Sequence, residues 1–334
     1  MTKKIIIALI YLVIIAIASV LLMDVYGLIG NNEEVVIEIK ENDNLDVIAD
    51  KLVKNKVVIN KAIFKQFYKI NTRKAVIVPG TIVVNSKMTY QVMTRIIDEP
   101  YVDTIRLMIP EGFEIREIAN RFSDNDIFSE SEFEAALKSF IYTFKTGEKI
   151  TGEYLLSGYL YPDTYEFYRT SPPNDIILKM VRNFEKHWTE EYKVQAEKIG
   201  MTMNEVITLA SIVEREAGHA EDFPKVASVF HNRLKIKKPL ESCATVQYIL
   251  EERKPVLSIL NTQIDSPFNT YKYAGLPPSP ISVPGDLAIR STLFPEETDK
   301  LFFFTDANGI NHYAVTYEEH NSLIKKHGVS GLAN

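Results

Sequence analysis

Two carboxylates two positions apart, Glu214 and Glu216, close the apolar run Leu209-Ala210-Ser211-Ile212-Val213-Glu214-Arg215-Glu216-Ala217. On a helix they lie about 200° apart, so only one of them can face a given cleft. Glu216 shares its face with Leu209 and Ile212. Apolar surroundings raise a carboxyl pKa and keep the group protonated, as a general acid requires. The competing reading is a solvated helix end with two surface glutamates, and spacing alone does not separate the two. Ser211 lacks a nucleophile-elbow context and reads as core. The single cysteine, Cys243, has no internal disulfide partner and excludes Cys-based zinc frameworks. Glu216, His219, Glu221 and His231 show no H-x-x-x-H or H-E-x-x-H spacing, so no metal and no cofactor are expected.

The elements that must position Glu216 follow from pattern. Its helix opens on a capping box, Thr202 to Glu205, and Gly218 is a natural stop. The apolar spacing predicts a further helix over 223–235. It also predicts one long amphipathic helix over 175–199, with Ile176, Met180, Val181, Phe184, Trp188 and Tyr192 inward. Residues 158–167 are dense in aromatics and interrupted by Pro162, which predicts a packed, non-helical segment. The proline-rich stretch 266–285 carries Phe268, Tyr271, Tyr273 and Ile281, too apolar for a free linker, and reads as an ordered groove-lining loop. Asn308-Gly309 predicts a terminal hairpin between 301–304 and 312–315.

Upstream, strand, helix, helix, strand and helix are expected over 35–39, 45–53, 62–70, 81–84 and 89–97, with Asn44 as an N-cap. A strand at 104–109 ends in the turn Pro110-Glu111-Gly112, and short helices follow at 115–122 and 130–140. The class is α+β. The chain has 334 residues, a net charge of −6 and 25% charged side chains. That allows about two domains and argues against nucleic-acid binding, which needs a basic face.

The run 5–23 is apolar and uncharged, long enough for the roughly 20 residues a bilayer helix needs. Lys3 and Lys4 precede it, whereas Asp24, Glu33 and Glu34 follow it. The charge asymmetry predicts a single-pass anchor with a cytoplasmic N-terminus and an extracytoplasmic remainder. A cleaved signal at Ala16-Ile17-Ala18 fits less well, because residues 20–23 stay apolar. Residues 27–32 read as a juxtamembrane linker.

Several stretches together resemble the endolytic murein transglycosylase, or YceG-like, family. They are Val213-Glu214-Arg215-Glu216, residues 158–167 (with Tyr161-Pro162-Asp163-Thr164-Tyr165), and Val226 to Leu234. Thr245-Val246-Gln247-Tyr248, Ser266-Pro267-Phe268-Asn269-Thr270-Tyr271, Gly275-Leu276-Pro277-Pro278, His312 and His320-Asn321 complete the match. One departure is Glu241-Ser242-Cys243-Ala244, where relatives often carry a Ser-Asp-Pro-like stretch. The resemblance implies a membrane tip, anchor and linker over 1–32, a LysM-like module over 33–98 and a mixed α+β catalytic domain over 99–334.

It also implies an enzyme that cuts peptidoglycan glycan strands between MurNAc and GlcNAc, leaving a 1,6-anhydromuramyl end. Glu216, the second Glu of E-x-E, would be the catalytic residue. The implied setting is nascent strands beside the synthases of the elongation machinery. Ordinary glycosidases need two carboxylates. A muramyl residue carries its own nucleophile, the C6 hydroxyl, and intramolecular attack can be worth roughly 7–11 kcal/mol, so one carboxylate suffices. Tyr161, Asp163, Thr164, Gln247, Asn269 and Tyr271 are the candidate substrate-binding residues. Against that stand a turn-forming role for Asp163 and core roles for most tyrosines. The rival functions are a non-catalytic glycan-binding scaffold and a hydrolytic muramidase.

Overall fold

The computed structural model describes residues 2–73, 76–100, 104–151, 156–168, 171–254 and 257–328. The chain divides into two compact units, Met1–Ile105 with Glu166–Ser171, and Arg106–Tyr165 with Pro172–Asn334.

The first unit opens with helix α1, Thr2–Val25. No glycine or proline interrupts it, and 24 residues rise about 36 Å. Its stretch Ile7–Val25 is long and apolar enough to cross a membrane, and side chains such as Leu9, Leu12, Ile15 and Leu22 are exposed. Asp24, at its end, is buried and accepts hydrogen bonds from the Ile59 N–H (3.0 Å) and the Tyr90 hydroxyl. The expected linker at 27–32 is not a free tether. Gly27 (φ +64°) lies so close to the Lys87 carbonyl that a Cβ would stand 2.2 Å from its oxygen, and the Asn31 N–H donates to Ser86 Oγ (3.0 Å).

Beyond it come β1 (Val35–Ile39), α2 (Leu45–Lys54), α3 (Lys61–Asn71), β2 (Gly80–Val84) and α4 (Tyr90–Asp98), in the expected order. β1 and β2 pair antiparallel, from Val35 opposite Val84 to Ile39 opposite Gly80. Alternation turns Ile37, Ile39, Ile82 and Val84 inward. They meet Ile48 and Leu52 of α2, Phe64 of α3 and Tyr90, Met93 and Ile97 of α4 in one core. Asn44 caps α2, its Oδ1 accepting from the N–H groups of Asp46 (2.9 Å) and Val47 (3.1 Å).

The second unit takes in residues 106–109 of β3 (Thr104–Ile109), which pairs with β6 (Asp163–Tyr168), and between these strands in the chain α5 (Ile115–Ser123), α6 (Glu130–Ser139) and the antiparallel β4 (Ile141–Thr143) and β5 (Lys149–Thr151). Then follow α7 (Pro173–His187), α8 (Glu190–Ile199), α9 (Met203–Glu216), α10 (Phe223–Lys235), α11 (Cys243–Leu250), α12 (Ile259–Thr262) and α13 (Asp286–Leu293). A hairpin of β7 (Phe302–Thr305) and β8 (Asn311–Ala314) leads to α14 (Tyr317–His327). Helix α9 is the axis of this unit. Val206 to Val213 are all buried, and α8, α10, α11 and α13 all lie against it.

One expectation needs correction. Residues 175–199 form two helices, because Trp188 leaves the helical path and Thr189 starts α8, its Oγ1 accepting the Tyr192 N–H at 3.3 Å. The inward residues are nonetheless buried as expected. Residues 266–285 form an ordered segment without helix or strand, with Ile281 and Val283 buried. Ser211 is core, as expected, and ties that segment to α9. Its Oγ accepts the Ile281 N–H, and its carbonyl accepts the Ser282 hydroxyl, both at 3.0 Å.

Gly158 sits where this segment presses on α9. A Cβ there would stand 2.4 Å from Ile207 Cγ2 and 2.5 Å from Pro280 Cγ. Gly158→Ala is therefore expected to overpack the core and destabilise this unit by roughly 1–3 kcal/mol, measurable as a lowered urea midpoint with an unchanged slope.

Candidate active site

Glu216 is the last residue of α9, and extended Ala217 ends the helix one residue before the predicted stop. Its side chain is half-buried. Its Oε1 accepts the Ser242 hydroxyl at 2.5 Å and the Ala244 N–H at 3.1 Å. Those donors form the start of α11. Ser242 stands at the N-cap but makes no cap bond to its own helix. The Glu216 carboxylate takes that place, accepting an orphan backbone donor at the positive end of the helix. Burial, the largest influence, pushes the Glu216 pKa up. Ser242, the Ala244 N–H, the Arg215 charge and the Cys243 N–H pull against it, and burial wins. The result is a carboxyl that holds its proton more tightly than usual yet has donors ready for its anion.

The start of α11 is itself held in place. The Glu241 N–H donates to the Thr270 carbonyl and the Ser242 N–H to Thr270 Oγ1, both at 3.0 Å. Thr245 Oγ1 donates to the Ser242 carbonyl at 2.8 Å. Glu241 adopts a left-handed backbone (φ +51°). Arg233 of α10 pins the approach, donating to the Leu240 carbonyl and Glu241 Oε2, each at 2.8 Å.

Glu214 points elsewhere, as the 200° separation requires. Its Oε2 accepts the Gly285 N–H at 2.9 Å, at the start of α13. Burial, with the Glu111 carboxylate nearby, raises its pKa to about 7 against the pull of the Gly285 N–H and Arg215. Between the two glutamates Arg215 donates to Glu114 Oε1 (3.0 Å) and the Gly112 carbonyl (3.3 Å). Glu114 is buried and also accepts Arg116 Nε at 2.9 Å.

Of the residues expected to bind substrate, Tyr271 comes to Glu216. Its hydroxyl lies 3.1 Å from Cys243 Sγ, and the Glu216 charge adds to burial in raising its pKa. Asn269 is fully buried and braces the loop instead, donating to the carbonyls of Thr262 (3.0 Å) and Ile264 (2.7 Å) and accepting the Tyr271 N–H (3.0 Å). Gln247 donates to the Lys254 carbonyl at 2.8 Å. Tyr161 is buried and stacked on His187 with ring centroids 4.0 Å apart. Asp163 and Thr164 are exposed on β6, where Asp163 accepts the Thr164 N–H (2.7 Å) and Asn183 Nδ2 (2.9 Å). Among the described residues none of these five hydrogen-bonds Glu216.

Sequence reading missed Ser242, Ala244, Thr270 and Arg233. The available signal was the departure at 241–244, which is the segment that seats the Glu216 carboxyl. Among the described residues, Asp306, His312 and His327 are the group whose possible ligand atoms converge, within 4.8 Å. His312 Nε2 lies 3.0 Å from Asp306 Oδ2, a contact that ties β8 to the residue after β7.

Glu214 makes stability depend on pH. Its pKa is higher folded than unfolded, so its contribution is complete below about pH 4.5 and is lost as pH rises through about 7. Glu214→Gln keeps an oxygen for the Gly285 N–H and should flatten the fall in urea midpoint across that window.

The model of the YceG-like family matches residues 37–326. An endolytic murein transglycosylase of Bacillus subtilis (strain 168) is 29% identical over 303 residues, which cover 87% of this chain and 84% of that protein. One of Streptococcus pneumoniae (strain D39) is 34% identical over 185 residues, 54% of this chain but 33% of that much longer protein. The crystal structure of a YceG-like protein from Listeria monocytogenes, 30% identical, aligns with a TM-score of 0.59 over 88% of this chain and 100% of that one. The matched span contains the seated carboxyl of Glu216, the α11 start that holds it and the buried Arg215–Glu114 pair, and the chain belongs to the YceG-like family.

Proposed function

We propose that this chain is an endolytic murein transglycosylase that cuts peptidoglycan glycan strands with Glu216 as its acid and base. The observation that carries this reading is the seating of Glu216, with burial raising its pKa while Ser242 and the Ala244 N–H stand ready to stabilise its anion. The protonated carboxyl donates to the glycosidic oxygen between MurNAc and GlcNAc as the C1–O bond breaks. The muramyl C6 hydroxyl then bonds to C1 and gives its proton to the Glu216 carboxylate. One bond is exchanged for another, no water is consumed, and the product is a 1,6-anhydromuramyl end. The enzyme returns to its starting protonation state, and the chemistry calls for no cofactor.

The relatives named as endolytic murein transglycosylases support the substrate class. The exposed apolar run 5–23 of α1, with Lys3 and Lys4 before it and Asp24 after it, supports a single-pass anchor with the N-terminus inside. The small strand–helix–helix–strand module behind it, in the role of a LysM-like unit, would hold the enzyme near strands as the synthases of the elongation machinery release them.

Full-length protein in detergent micelles, incubated with uncrosslinked glycan, is expected to yield ends lighter by one water than reducing ends on mass spectrometry. Reducing ends would instead identify a hydrolytic muramidase. Glu216→Gln should lower kcat at least 10²-fold, by the usual worth of a general acid–base; unchanged turnover would remove Glu216 from that role, and no cleavage by the unmodified protein would leave only the scaffold reading. Because the acid must start protonated, the rate should fall as pH rises through the elevated Glu216 pKa. Ser242→Ala removes a donor to the anion, so that alkaline limb should move to still higher pH.

A further inference from the structure

The second unit holds a cleft of about 960 Å³ between α5 and α6 on one side and the C-terminal end of α11 with the 266–279 loop on the other. Its size falls in the range of small-ligand sites, roughly 300–1,000 Å³. Tyr248 and Phe268 form an aromatic wall, with ring centroids 4.9 Å apart. Ser279, 1% exposed, lies in the same wall, and its buried Oγ has no hydrogen-bond partner. The cleft is also strongly polarised. Glu130, Glu134 and Glu251 line it, Glu134 also meeting Lys138 of its own helix at 3.6 Å, whereas among the described residues the one cation in its lining, Arg116, is engaged by the buried Glu114 at 2.9 Å.

We propose that this cleft is a binding site for the free side-chain amine of a peptide stem carried by the glycan strand, an inference that rests on the function proposed above. Charge complementarity points to a cation, and the aromatic wall suits its aliphatic stem and attracts the ammonium. Helix α11 sets the reach. It begins at Glu216 and ends at this cleft, and its eight residues rise about 12 Å. An extended peptide spans about 3.5 Å per residue, so the third or fourth residue of a stem hanging from a muramyl unit near Glu216 arrives at the cleft. The diamino acid of an uncrosslinked stem offers a free amine there; crosslinking converts that amine to an amide and removes the charge. The cleft thereby distinguishes strands that have not yet been crosslinked.

The test compares three uncrosslinked strands with the full-length protein in micelles: one with native stems, one with the stem amines acetylated, and one stripped of peptide. Acetylation is expected to raise KM roughly tenfold with little change in kcat, a loss of ground-state binding. In the double variant Glu134→Gln/Glu251→Gln the KM values for native and acetylated strands should coincide. Equal KM values in the unmodified protein would overturn the proposal while leaving the transglycosylase reading intact. If no strand is cut, that reading fails, and calorimetric titration with a free lysine-containing tripeptide stem decides the cleft by itself. Saturable binding that acetylation and the double variant abolish supports the site, and absence of saturable binding overturns it.

Discussion

A carboxylate seated on the first turn of a short helix is the contact on which this site depends. Helix α11 carries no cap bond of its own, and Glu216 supplies one from α9. Dependence runs both ways. The orphan donors of α11 gain an acceptor, and a carboxyl at a crowded helix junction gains the partners without which its anion would be costly. Burial and donors pull its pKa in opposite directions. A group balanced between those influences can release a proton and recover it within one catalytic cycle, which is what a single acid–base residue must do.

Distant segments converge to make that contact. Thr270, from the proline-rich loop, receives the backbone of residues 241 and 242, and Arg233 of α10 clamps the same stretch. Asn269, buried beside Thr270, holds its loop in shape. Two residues read at first as contacts for sugar, Asn269 and Gln247, thus hold backbone in the structure.

The E-x-E motif gains meaning from its middle residue. Arg215 bonds Glu114 and the Gly112 carbonyl, locking the α9 end to the turn after β3. Glu214 then reaches Gly285 and Glu216 reaches α11, so the two acids occupy separate surroundings. Their pKa values are raised by the same cause, burial, but different charges sit beside them: the Glu111 carboxylate near Glu214, and hydroxyl and backbone donors at Glu216. The first unit follows its own logic, in which a long exposed apolar helix ends in a buried Asp24 tied to Ile59 and Tyr90. The membrane-length helix and the small folded module are thereby joined by hydrogen bonds as well as by chain.

Much of the architecture was legible locally. The apolar run of α1, the alternation in β1 and β2, the caps at Asn44 and Thr202 and the Asn308-Gly309 turn are short-range signals, and each marks an element that forms where expected. The opposite facing of Glu214 and Glu216 also follows from sequence, because it is a property of helical pitch alone. Helix α11 was not legible. Ser242-Cys243-Ala244-Thr245-Val246 contains several weak helix formers and no self-cap. What stabilises that helix is a carboxylate 26 residues earlier in the chain and a threonine 28 residues later. The break at Trp188 was hidden for a related reason: the inward residues keep a helical spacing across it, so periodicity continues where the backbone does not. Sequence alone set the two glutamates on opposite sides of a helix and, through the resemblance, pointed to Glu216 as the candidate acid. Tertiary structure decided how its proton is held, because desolvation and donor geometry arise only when remote segments meet.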